Sequence, residues 1–186
     1  MGYKVSSLRT LPVIPGIELY VFILGRNIWA SGWRKELERN FNKLARELGS
    51  SAAIVSGHDR TNLIIELMES ARENNNLSIA QALERQDETC LLLLGAHPSE
   101  LSDDDLVLLI NEEHIQSRFG NMEVFLDELC EFAKNRNESF LEKFQEEKLL
   151  TDDILGVIDL KPNFFGFGVN LNKAIEKFRN WKNKDA

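Results

Sequence analysis

The residues best able to do chemistry fall in four short stretches, each directly behind a run of apolar residues. They are "GRN" (Gly25, Arg26, Asn27), "GHDR" (Gly57, His58, Asp59, Arg60), "GAHP" (Gly95, Ala96, His97, Pro98) and "NEEH" (Asn111, Glu112, Glu113, His114). All three histidines of the chain stand in these stretches. Histidine moves protons near neutral pH, and arginine donates to anions. Glycine lets a backbone turn sharply and approach a ligand closely. Such a set suits a small anionic, nucleotide-like ligand, with Arg26, Asn27, His58, Arg60 and His97 as its contacts. Used as an enzyme, it would take His58 as general acid/base, Asp59 to orient it and Arg26 or Arg60 to clamp a phosphate. Adjacent residues of one loop orient each other poorly, so binding without catalysis is the preferred reading.

A fifth stretch, "KPNFFGFGVN" (Lys161–Asn170), adds Phe167, Gly168 and Asn170 to the candidate contacts. Pro162 biases Lys161 towards extended backbone. Gly166 and Gly168 flank Phe167, and Asn170 stands where the N-cap of the last helical pattern belongs. A glycine-bearing turn that feeds a helix N-terminus offers free N–H groups to an anion. The same residues also fit a plug, with Phe164, Phe165 or Phe167 pinning the last helix to the body, or an aromatic surface for a partner protein.

Recognised catalytic patterns are missing. The first turn reads "LGRNIWASGW" rather than GxGxxG, and neither GxxxxGK[ST] nor GxSxG occurs. A phosphorylation receiver needs acidic residues after its first strand and an aspartate ending the third; Arg26 and Ala96 stand there. His58, Asp59 and His97 could chelate a divalent cation, but three residues drawn from two loops make no metal signature. No metal or cofactor is expected. "SDDD" (Ser102–Asp105) reads as a turn or helix start.

Elements able to position these residues are plain in the hydrophobic pattern. "IELYVFIL" (Ile17–Leu24), "SAAIVSG" (Ser51–Gly57), "TCLLLLG" (Thr89–Gly95) and "LVLLI" (Leu106–Ile110) are near-continuous apolar runs, as strands buried on both faces are. Helical spacing covers Trp33–Leu48, with Ser31 and Gly49 as its caps, and Asn62–Ala71. Ser78 and Gln81 make a capping-box pattern for a short helix over Ile79, Ala82 and Leu83. Asn121 caps another over Met122, Phe125, Leu126, Leu129 and Ala133, which Phe140, Leu141 and Phe144 extend. Asp153–Leu160 suits a strand or a helical turn, and a last helix runs over Leu171–Trp181.

This alternation implies a single three-layer α/β domain over residues 1–186, Rossmann-like or flavodoxin-like. Its sheet is expected to be mainly parallel, of four or five strands, with an irregular lead-in over 1–16 and a helix-rich C-terminal third. Parallel strands bring their carboxyl ends to one edge, where ligands bind in such sheets. Arg26, His58 and His97 are therefore expected to share a site.

Composition narrows the function classes. The chain has 186 residues, 43% hydrophobic and 28% charged, with a formal net charge of -8. That balance argues against a basic face for nucleic acid and against anionic membranes. Cys90 and Cys130 lie in apolar runs outside metal or redox spacing, which fits buried thiols in a reducing compartment. The N-terminus has no secretory apolar region. Its Met-Gly start with Ser6 matches only a short and common lipidation pattern. No apolar run approaches the ~20 residues of a membrane span. The expectation is a soluble, cytoplasmic, non-catalytic sensing or signalling module that binds a small anionic ligand or a protein partner.

Overall fold

The computed structural model describes residues 1–25, 32–58, 63–74, 76–85, 89–102, 105–135, 137 and 139–144. Among the described residues five strands form one sheet: β1 (Gly2–Val5), β2 (Leu19–Leu24), β3 (Ala52–Gly57), β4 (Cys90–Leu94) and β5 (Val107–Ile110). Their order across the sheet is β1-β3-β2-β4-β5. Six helices accompany them among the described residues: α1 (Gly32–Glu47), α2 (Leu63–Glu73), α3 (Leu77–Glu84), α4 (Glu112–Phe119), α5 (Met122–Asn135) and α6 (Ser139–Glu142). The stretches Asp153–Leu160, Lys161–Asn170 and Leu171–Trp181 lie outside the described residues, and so do the expectations placed on them.

The layers follow from the strand pleat. Successive side chains point to opposite faces, so an unbroken apolar strand needs cover on both. Every residue of β2 is buried. Leu19, Val21 and Ile23 pack with Trp33, Leu37, Phe41 and Leu44 of α1 and with the aromatic side of α4 to α6. Tyr20, Phe22 and Leu24 pack on the other face with Leu63, Ile64, Leu67 and Met68 of α2 and Leu83 of α3. A mixed α/β sheet with helices on both faces is thus observed.

Strand direction departs from the expectation of a mainly parallel sheet. β1 and β2 both pair parallel with β3, but β4 is antiparallel to β2 and to β5. The cause is a matter of parity. One helix between two strands returns the chain to the edge where the first strand began, and the next strand runs parallel. Two helices, α2 and α3, lie between β3 and β4. The second brings the chain back to the edge that β3 left, so β4 must run the other way. The link from β4 to β5 holds no helix among its described residues and is too short for a covering crossover, so β5 reverses again.

The lead-in is ordered rather than irregular. Its "GYKV" forms edge strand β1, which lies hard against α1: a Cβ on Gly2 would stand 2.7 Å from the Ala45 Cβ. A 3-10 turn over Leu8–Thr10 follows, capped by Ser7. Glu66 of α2 ties it down. Its Oε2 accepts from the Ser7 hydroxyl at 2.7 Å and from the Leu8 N–H at 2.6 Å. Replacing Glu66 by alanine is expected to cost about 1–3 kcal/mol, because the Leu8 N–H is left without its acceptor. Urea unfolding with an unchanged slope measures this; a loss below about 0.3 kcal/mol would show that the tie contributes nothing.

Capping signals hold at two helix ends and fail at a third. Gly49, with φ of 74°, ends α1 as expected, and Asn121 caps α5 by accepting from the Val124 N–H at 2.9 Å. The short helix α3, in contrast, begins at Leu77 with Asn76 at its N-cap, so Ser78 lies inside the first turn and not at the cap.

Candidate functional site

The carboxyl ends of β2 and β3 lie side by side, since Ile23 pairs with Ser56. From β2 the chain passes to α1 on one face of the sheet, and from β3 it passes to α2 on the other. This divergence is the geometry that opens a crevice at a sheet edge. Gly25 ends β2 in a crowded place: a Cβ there would meet Arg34 Nη1 at 2.7 Å and Thr89 Oγ1 at 3.1 Å. Arg34 folds back from the first turn of α1, and its Nη1 donates to the Gly25 carbonyl at 3.4 Å. Its Nε pairs with Glu38 Oε1 at 3.1 Å, with the Arg34 side chain 17% exposed. Beyond β3, the His58 N–H donates to the Val5 carbonyl at 3.0 Å and the residue is exposed. Arg26, Asn27, Asp59 and Arg60 lie outside the described residues.

His97 does not join this edge. Tyr20 stands opposite both Leu94 and Ala53, so the carboxyl end of β4 is level with the amino ends of β2 and β3. His58 is five residues beyond Ala53 in sequence, about 16 Å along the strand at ~3.3 Å per residue. His97 leaves in the opposite direction. The expected grouping of Arg26, His58 and His97 around one ligand fails for His97, because the antiparallel β4 carries it to the far edge.

There the His97 ring is 7% exposed and meets the Tyr20 ring edge-on, with centroids 5.5 Å apart. Its Nδ1 lies 2.7 Å from the Ser99 hydroxyl and accepts from the Ser99 N–H at 3.2 Å. Nε2 is buried and, among the described residues, makes no hydrogen bond of ordinary geometry. Burial pushes the imidazole below the usual histidine range; the Leu11 backbone and the Glu100 carboxylate pull the other way.

His114 is also elsewhere. "NEEH" is not a loop but the start of α4, where Asn111 and His114 close a capping box: the His114 N–H donates to Asn111 Oδ1 at 2.9 Å and the Asn111 N–H to His114 Nδ1 at 3.3 Å. The three histidines therefore serve three separate places.

Other chemistry is restrained by burial. Cys90 is buried and its thiol is pushed up to about 12; Cys130 is pushed up to about 11 by burial and the Glu47 carboxylate. Neither supplies a thiolate at neutral pH. Of the acidic turn, Asp105 Oδ2 accepts from the Ser102 N–H at 2.8 Å and hydroxyl at 2.7 Å, which closes the turn as expected. Among the described residues no group of three or more His, Cys, Asp or Glu could hold a metal ion, and no helix is long and apolar enough to cross a membrane.

Sequence reasoning missed Arg34 and Thr89. Arg34 sits in the first turn of the helix after β2, a visible signal. Thr89 reaches the same edge only because β4 starts there. Family models, characterised proteins and solved structures yield no match to this chain.

Proposed function

We propose that this domain is a non-catalytic sensing or interaction module, and that a small anionic, nucleotide-like ligand occupies the crevice at the carboxyl ends of β2 and β3. One observation carries the reading: neighbouring parallel strands send their following helices to opposite faces of the sheet. The half built from β1, β3 and β2 with α1 and α2 is taken in this proposal as a Rossmann-like or flavodoxin-like unit, which its parallel pairing and its helices on both faces support. The stretches leaving the two strands supply Arg26, Asn27 and Arg60 in sequence, the donors an anion needs. A reducing, cytoplasmic setting suits the two buried thiols.

The alternative is an enzyme acting on a nucleotide or phosphorylated small molecule, with His58 as general acid/base. His58 is exposed, and a general base works best when a neighbour orients it. A protein partner on the same edge is the remaining reading.

A thermal-shift screen with nucleotides and sugar phosphates tests this. A ligand at a hundred times its Kd adds about 2.7 kcal/mol, which raises Tm by several degrees. The Arg26→Ala/Arg60→Ala double variant is expected to lose that shift while keeping its ligand-free Tm. If no anion raises Tm, or the double variant still responds fully, the reading fails. Turnover of the ligand, lost in His58→Gln, would transfer the site to the enzyme reading.

A further inference from the structure

We propose that His97 is a pH-operated latch at the amino edge of the sheet: protonation of its ring frees the loop Gly95–Leu101 and the lead-in around Leu11 from Tyr20. The latch lies at the edge opposite the proposed ligand crevice and does not depend on it.

The argument rests on donors and acceptors. With the Ser99 N–H donating to Nδ1 at 3.2 Å, the neutral ring keeps its proton on Nε2. A second proton must go to Nδ1, which then faces the Ser99 N–H, donor against donor. The Ser99 hydroxyl at 2.7 Å can rotate and accept, but the backbone N–H cannot. The charge also arrives on a ring only 7% exposed, where burial outweighs the help of the Leu11 backbone and the Glu100 carboxylate. A charge buried on a ring whose Nδ1 faces another donor is expensive, so opening is the way out.

The ring is held between three elements, each with its own titratable groups. On its own loop Glu100 favours the charged form; it is exposed, so its pull is screened. From β2, Tyr20 is a phenol whose burial raises its pKa, against the pull of the Ile14 backbone and with Glu100 and Tyr3 of β1 adding to the rise. The lead-in contributes the Leu11 backbone. Desolvation outweighs the favourable groups, and the ring's affinity for protons falls below its unfolded value. The sign follows: the latch is at full strength above the ordinary histidine pKa of about 6.5 and weakens as pH falls from there towards the folded value. Leu11, Tyr20 and Leu101 are the apolar surfaces it would uncover, since all three belong to or pack on the same core.

Hydrogen exchange of the whole chain at about pH 7.5 and about pH 5, on either side of the histidine range, tests the latch after correction for intrinsic rates. Peptides over residues 95–101 and 8–17 are expected to lose at least about tenfold protection at the lower pH, while β2 and β3 keep theirs. His97→Asn puts a carbonyl oxygen near the Nδ1 position and cannot be protonated, so its protection is expected to stay constant. Should that variant fail to fold, NMR titration of His97 in the wild-type chain decides: the ring must titrate in step with loop opening. Acid deprotection that persists in His97→Asn, or a loop that stays protected while His97 titrates, overturns the proposal.

Discussion

Phe140→Ala is expected to destabilise the domain by about 3–5 kcal/mol, a fall in Tm on the order of 10 °C. Phe140 is 1% exposed at the start of α6. Its ring centroid lies 5.1 Å from Phe132, 5.5 Å from Phe144, 5.6 Å from Phe119 and 6.1 Å from Phe125. The four neighbours come from α4, α5 and the end of the described chain, so removing the central ring leaves a cavity that no single helix can close. Phe140→Leu keeps most of the volume and is expected to cost much less. Urea unfolding followed by far-UV circular dichroism separates two outcomes. A single shifted transition means the aromatic cluster belongs to the main core. A cost below about 1 kcal/mol would mean that α6 is an appendage.

The second large effect is expected at Phe22, again about 3–5 kcal/mol for the change to alanine. Phe22 is fully buried and stands directly opposite Leu92 in the antiparallel β2–β4 pair. Its stability loss and that of Leu92→Ala are expected to be non-additive by about 0.5–3 kcal/mol, because both side chains share one contact on one face. Phe22 and Leu109, one strand further across, are expected to couple less. A coupling between Phe22 and Leu92 indistinguishable from zero would contradict the register and with it the reversed direction of β4.

How much of this was readable in advance depends on what each signal reports. Burial on both faces writes itself into a sequence, and the runs Leu19–Leu24, Ala52–Val55, Cys90–Leu94 and Val107–Ile110 were legible for that reason. Edge strand β1 was not: half-covered, four residues long and opening on a glycine, it has no apolar run to show. Direction was legible but went unread. The two helical patterns after β3 were both recognised, and their even number already implies a reversed β4. The same reversal separates the site residues. His97 and His58 look equivalent as residues that follow a strand, yet one is buried against Tyr20 and the other is exposed. Whether a histidine is a loop donor or a core residue depends on a partner many positions away, which local pattern does not carry.

The reversed β4 has a consequence for the birth of the molecule. The central strand β2 acquires one neighbour when β3 is made, but its other edge is filled only by β4, with Tyr20 awaiting Leu94. Ribosomes add roughly 5–20 residues per second, so the nascent chain spends a few seconds making the two helices in between. Throughout that interval "LYVFIL", apolar on both faces, presents an open row of backbone donors and acceptors. The central strand is thus open to aggregation during the synthesis of α2 and α3.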